Sequence, residues 1–195
     1  AASSDLSILL GNETKVFSAA VNYPLPFGYF GARAMTLGDF NEDGNSDLVI
    51  MGRTALVLYG DGKGAFPTES GFVSGGGSGV VIGDFDKNSH QDLAITTGNN
   101  TVALLSGNGA GKFAAPGNFN AGKRPIFVAS ADLNGDGKPD LAVANRDSDD
   151  LSLLFGDGTG NFGKPINLPI GDSPRAIAIA DFNLDGKSDL AVAYY

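Results

Sequence analysis

Apolar runs of three to five residues recur along the chain, each bounded by Gly, Pro, Asp or Asn. Ala176-Ile-Ala-Ile-Ala180 and Gly79-Val-Val-Ile82 represent one kind, Leu48-Val-Ile50 and Leu141-Ala-Val-Ala144 a second. Runs of this length suit strands and are far too short for helices. A third kind, Val102-Ala-Leu-Leu105, leads into a Gly-x-Gly-x-Gly-x-Phe turn, whose glycines supply the positive φ angles of a tight hairpin. A fourth follows that Phe, as in Phe113-Ala-Ala and Ile166-Asn-Leu168. The pattern predicts an all-β protein with four antiparallel strands per unit, the composition of a propeller blade.

The units repeat in register. Four acidic segments, Asp39–Asp47, Asp84–Asp92, Asp132–Asp140 and Asp181–Asp189, start 45, 48 and 49 residues apart, each between the first and second runs of its unit. The turns at Gly60–Phe66, Gly107–Phe113 and Gly156–Phe162 keep step with them, and a shorter copy, Leu9 to Phe17, opens the chain. A period of 40–50 residues points to a propeller or a related array. The frame is shifted: residues 6–22 read as the outer two strands of a unit and 175–195 as the inner two. We therefore expect one β-propeller domain over residues 1–195, with units 32–78, 79–125, 126–174 and 175–195 paired with 1–31. A first and last blade shared in this way would hide the open sheet edges. The ring then closes within one chain as four blades, between two chains as an eight-bladed homodimer, or within a longer protein.

Composition narrows the chemistry. Gly is 29 of 195 residues, about twice its usual share, which matches frequent turns. There is no Cys, so disulfides, zinc thiolates and cysteine nucleophiles are excluded together. No apolar run is long enough for a membrane helix, so no membrane insertion is expected. A formal charge of −9 argues against nucleic acid and anionic membranes and favours cations as partners.

Counting from the first Asp of each segment, side-chain oxygens fall at positions 1, 3, 5 and 9, with Gly or Ser at 6 and a backbone carbonyl available at 7. The candidate ligands are Asp39, Asn41, Asp43 and Asp47; Asp84, Asp86, Asn88 and Asp92; Asp132, Asn134, Asp136 and Asp140; and Asp181, Asn183, Asp185 and Asp189, with Asn45, His90, Lys138 and Lys187 contributing carbonyls. Hard oxygen donors in this number suit Ca²⁺ better than Mg²⁺ or a transition metal. An EF-hand is excluded, because its position 12 needs Glu and here holds Ile50, Ile95, Val143 and Val192. The four sites use 12 of the 22 acidic residues as ligands, three each, and four bound Ca²⁺ ions would bring −9 to −1. The second segment, with Asn88 and Ser89 where the others have Asp and Gly, is expected to be the weakest site.

Asp-x-Asn-x-Asp-Gly-x-x-Asp-Leu in three copies, the divergent copy at Asp84–Asp92 and the Gly-x-Gly-x-Gly-x-Phe turns together resemble the FG-GAP (VCBS-type) repeats of integrin α-subunit propellers and of many secreted bacterial and fungal proteins. That resemblance implies a β-propeller with Ca²⁺ between first and second strands, extracellular or cell-surface placement, and a binding or adhesion role toward a protein or glycan. Family propellers have seven or eight blades, so four units favour two chains or a fragment. Similar repeats occur in fungal lectins. Carbohydrate binding is accordingly the alternative, with Tyr23, Phe27, Tyr29 and Phe30 as the candidate contact patch.

A hydrolase or lyase is a third class, and the expectation is that the chain is not an enzyme. Its clustered carboxylates sit in four equivalent loops and not in the unequal environments acid–base catalysis needs, and no Gly-x-Ser-x-Gly elbow occurs. Asp147-Ser-Asp-Asp150 reads as a solvated turn. Arg33, Arg124 and Arg175, each just before an inner strand, read as register devices that pair with neighbouring blades' acidic turns.

Overall fold

In the computed structural model, residues 5–13, 16–25, 31–73, 77–115 and 117–195 are described, and they contain strands and turns with no helix. Three four-stranded antiparallel sheets follow one another: β3 (Ala34–Gly38), β4 (Asp47–Met51), β5 (Ala55–Tyr59) and β6 (Thr68–Val73); β7 (Val80–Gly83), β8 (Asp92–Thr96), β9 (Thr101–Leu105) and β10 (Gly117–Asn120); and β11 (Pro125–Ala131), β12 (Asp140–Asn145), β13 (Asp150–Leu154) and β14 (Ile166–Pro169). A two-stranded sheet stands at each end of the row: β1 (Asp5–Ile8) with β2 (Val21–Pro24), and β15 (Ala176–Ala180) with β16 (Asp189–Ala193). Every strand order is sequential, so each four-stranded sheet is a meander.

The sheets stack face to face, which explains why the second strands are apolar throughout. Successive side chains on a strand point to opposite faces, and here both faces are covered. On β4, Val49 and Met51 pack with Leu93, Ile95 and Leu105 of the next sheet, whereas Leu48 and Ile50 pack with Leu6 of β1. On β12, Leu141 and Val143 meet Ala94 and Leu104, whereas Ala142 and Ala144 meet Ile177 of β15. Each fully buried Leu or Ile contributes about 1.5–3 kcal/mol. The first strands lie side by side: β3 neighbours β7, β7 neighbours β11, and β11 neighbours β15. A Cβ at Gly79 would lie 2.9 Å from the Phe127 Cα, so the approach of the β7 and β11 backbones requires glycine there.

Two expectations change. The fourth strand of the second unit begins at Gly117 and not at Phe113, which instead makes an isolated bridge to Gly107, as Phe162 does to Gly156. The Phe113 ring is turned onto Phe40 of the preceding sheet, with ring centroids 5.6 Å apart, and the backbone closes the turn before the strand starts. The shared first and last blade is also not formed within this chain. β1–β2 lies against the β3–β6 sheet and β15–β16 against the β11–β14 sheet, at opposite ends of the row, so the two half-sheets do not pair with each other.

Candidate metal centres in the repeated acidic loops

Each acidic segment connects the first strand of a sheet to the second, and all four are built alike. The first Asp organises the loop by accepting backbone N–H groups with both oxygens. Asp39 accepts from Asp43 (3.1 Å) and Gly44 (3.0 Å), and Asp84 accepts from Asn88 and Ser89 (3.0 Å each). Asp132 accepts from Gly135, Asp136 and Gly137 (2.7–3.1 Å), and Asp181 from Asp185 and Gly186 (3.1 and 2.8 Å). The Gly137 N–H, and correspondingly Gly186, holds the partly exposed Asp132 and Asp181 carboxyls below the ordinary range, since hydrogen bonds to the charged form favour it.

To aim those N–H groups inward the backbone turns left-handed at positions 4 and 6 of every loop. At position 6 φ is 84° for Gly44, 69° for Ser89, 77° for Gly137 and 83° for Gly186. At position 4 it is 55° for Glu42, 57° for Lys87, 78° for Gly135 and 63° for Leu184. The side-chain oxygen at position 3 accepts the N–H of position 5 in all four loops, from Asn41, Asp86, Asn134 and Asn183. That at position 5 accepts the N–H of position 7, from Asp43, Asn88, Asp136 and Asp185. Oxygens at 1, 3 and 5 are thus tethered to one loop backbone.

Position 9 is different. Asp47, Asp92 and Asp140 are fully buried, and each bridges two segments. One oxygen accepts the N–H of position 2 (Phe40, Phe85, Leu133), and the other accepts the N–H of the first turn glycine (Gly60, Gly107, Gly156), all at 2.8–2.9 Å. Burial pushes the Asp47 and Asp92 carboxyls up, against those N–H groups. A cation beside them would offset that cost. The turn comes equally close from the other side: a Cβ on Gly60 or Gly107 would stand 2.1 Å from the carbonyl oxygen of Ser46 or Gln91. Acidic loop and glycine turn are one assembly. The sequence showed the two motifs in step but not that Asp47, Asp92 and Asp140 join them.

Neighbouring assemblies also touch. Gly111 N–H donates to Phe40 O (2.8 Å) and Gly160 N–H to Phe85 O (3.1 Å), so each turn caps the acidic loop of the preceding sheet. Gln91 Oε1 accepts the Asp39 N–H (2.9 Å), and the His90 ring lies 2.5 Å from Glu42 Oε1. The His90 ring is thereby engaged between loops while its carbonyl stays with position 7. Lys138 Nζ stands 3.3 Å from Asp136 Oδ2, a partly exposed cation at a candidate ligand.

The donor set fits calcium. In the second loop, one oxygen each from Asp84, Asp86 and Asp92 lie within 4.8 Å of one another. Oxygens facing each other across Ca²⁺ at 2.3–2.6 Å are separated by up to about 5 Å. The loop that the sequence ranks weakest thus gathers three carboxylates within the reach of one ion. Of the aromatic patch, Tyr23 is partly buried, donates its hydroxyl to Gly64 O (3.0 Å) and packs edge-on against Phe66. Phe27, Tyr29 and Phe30 lie outside the described residues.

Phosphatidylinositol-glycan-specific phospholipase D from Homo sapiens is 28% identical to the chain over a match covering 69% of this chain and 21% of that protein. The Bos taurus protein is also 28% identical, over 68% of this chain and 20% of its own length. The chain thus spans about a fifth of these curated relatives. Among solved structures, BBS1N in complex with ARL6DN superposes with a TM-score of 0.57 at 18% identity, covering 85% of this chain and 52% of that one. This likeness shows the fold alone, a β-propeller-like stack of antiparallel sheets. The FG-GAP-like repeat pattern itself matches residues 84–143 and 132–192. Those two overlapping matches take in three of the four acidic loops and more than half of the sequence, and the chain belongs to the FG-GAP-like repeat proteins.

Proposed function

We propose that this chain is a calcium-binding, non-catalytic propeller segment that acts outside the cell as a binding, adhesion or scaffold module. The observation that carries it is the common build of the four loops. In each, the first Asp draws backbone N–H groups inward and oxygens at positions 3 and 5 are tethered around the same centre. Ca²⁺ would be held by the side chains at positions 1, 3, 5 and 9 with the carbonyls of Asn45, His90, Lys138 and Lys187. It would neutralise carboxylates that otherwise repel one another by a few kcal/mol per pair at an effective dielectric near 20. Because three of the loops are clamped to their own turns and two of them are capped by the next turn, the ion would rigidify the stack as a whole.

The relatives carry an enzyme's name, but we assign no turnover to this segment. Its clustered carboxylates are engaged with the backbone in repeated, equivalent surroundings, the opposite of the split environments acid–base chemistry uses. The aromatic patch of the carbohydrate alternative gains no support from Tyr23, whose ring is committed to packing.

Calorimetric titration with Ca²⁺, paired with thermal unfolding in Ca²⁺ and in EGTA, tests the reading. With site Kd values of about 10⁻⁴–10⁻³ M, 10 mM Ca²⁺ stabilises by about 1.4–2.7 kcal/mol per site. Up to four sites are expected. Weak binding at the second loop is expected from its Asn88 and Ser89, and four equal, tight sites would overturn that ranking. Identical unfolding in Ca²⁺ and EGTA would overturn the proposal.

A further inference from the structure

The end of the stack opposite the acidic loops carries a cavity of about 700 Å³, set over the far ends of the inner strands of three successive sheets. Arg33 precedes β3 and Arg53 follows β4; Ser78 precedes β7; Lys123 and Arg124 precede β11. Four cationic side chains thus line one space with a single carboxylate, Asp147, although the chain as a whole carries −9. The acidic loops lie a strand of five residues away, about 17 Å at 3.3 Å per residue. That exceeds the screening length of about 8–10 Å at ordinary salt, so the local sign at the cavity is positive.

The cavity exists because the second unit departs from its neighbours. Arg33, Arg124 and Arg175 each stand just before an inner strand, and the second unit has Ser78 there, flanked by Gly77 and Gly79. Small residues leave room where an arginine would stand, and Arg33 crosses into it, Nη1 donating to Ser78 Oγ at 3.0 Å. Arg124 is held at the rim with its backbone left-handed (φ 53°), its N–H donating to Asn100 Oδ1 at 2.9 Å. Its guanidinium is 3.6 Å from Asp147 of its own sheet, a loose exposed pair and not the contact with a neighbouring blade expected from the sequence. Arg53 and Lys123 have no side-chain partner among the described residues.

We propose that this cavity binds a phosphate or sulfate ester carried on a hydroxyl-rich body of about sugar size. Guanidinium groups recognise tetrahedral oxyanions through paired N–H donors. The volume lies within the range of small-molecule sites and far exceeds what a bare anion fills, and the Ser78 hydroxyl and the Asn100 amide offer partners to the rest of the ligand. The site is independent of the metal loops.

Calorimetry in 1 mM Ca²⁺ with glucose 6-phosphate, glucose 6-sulfate and glucose tests it. Binding of either ester, or of both, with none of glucose supports the proposal, and their relative affinities identify which ester the site takes. The double variant R53Q/K123Q should weaken binding at least tenfold with the melting temperature unchanged, since neither side chain supports the fold. A second variant, Ser78→Arg, restores the residue of the other units, fills the cavity and should abolish binding. Absence of binding by both esters at 10 mM, equal binding of glucose, or R53Q/K123Q binding like the parent would each overturn the proposal.

Discussion

An aspartate at the end of each acidic segment looks in sequence like one more metal ligand, and in the structure it is also a structural clamp. Asp140 is fully buried and accepts N–H groups from Leu133 and Gly156, whereas Asp136 is partly exposed and accepts from Lys138 inside its own loop. The two should respond differently to substitution. Asp140→Ala strands two backbone donors away from water, at about 1–3 kcal/mol each, and so should lower stability by about 2–5 kcal/mol in EGTA as in Ca²⁺. Asp136→Ala should change little in EGTA and lose only the calcium-dependent increment. Urea unfolding of both variants under both conditions measures this, and equal losses in EGTA would deny Asp140 its special role. The alternating oxygens were legible because alternation is a pattern of residue types. The left-handed backbone at position 4 was not, because Glu42, Lys87 and Leu184 carry no glycine to mark it.

Between elements, the decisive contacts join the acidic loop to the glycine turn. The first turn glycine does not need a positive φ, and its small size matters because the loop carbonyl sits where a Cβ would be. Gly107→Ala should therefore force the turn away from Gln91 O, stretch the 2.8 Å bond to Asp92 and break the cap that Gly111 places on Phe40 O. A loss of about 2–3 kcal/mol is expected, typical of steric intrusion into a packed site. Gly44→Ala meets nothing within 4 Å and should cost only the strain of its φ, about 1–2 kcal/mol. Denaturant midpoints of the two variants separate crowding from backbone strain, and a Gly107→Ala cost no greater than that of Gly44→Ala would count against the locked assembly. The strands and their order could be read from the sequence because local runs and turns specify them. Cross-sheet pairs such as Gln91 with Asp39 depend on how sheets stack, and no local pattern encodes that.

At the scale of the whole molecule, the two half-sheets present complementary edges. In the three complete sheets the last aspartate of the acidic loop clamps a turn glycine on the third strand; Asp189 accepts from Phe182 but has no such glycine beside it, and the N-terminal copy of that glycine is Gly11. Leu48, Leu93 and Leu141 each pair across to Leu58, Leu105 and Leu154, two residues before the turn glycine. The same register would place Leu190 opposite Leu9, which is 50% exposed. On the first sheet, β1–β2 covers Leu48 and Ile50 but leaves Met35 and Leu37, their partners on β3, 64% and 60% exposed. A β15–β16 pair from a second copy would cover that bare patch, and its β16 edge would then meet β1. Two copies exchanging half-sheets in this way would make eight blades, three complete sheets from each chain and two shared ones. Light scattering in Ca²⁺ should report about twice the 19.9 kDa chain mass. Leu37→Asp should reduce the particle to a monomer at little cost to the fold of the single chain, because the side chain is already exposed there. A parent protein at monomer mass, or a Leu37→Asp variant that stays dimeric, would overturn the exchange.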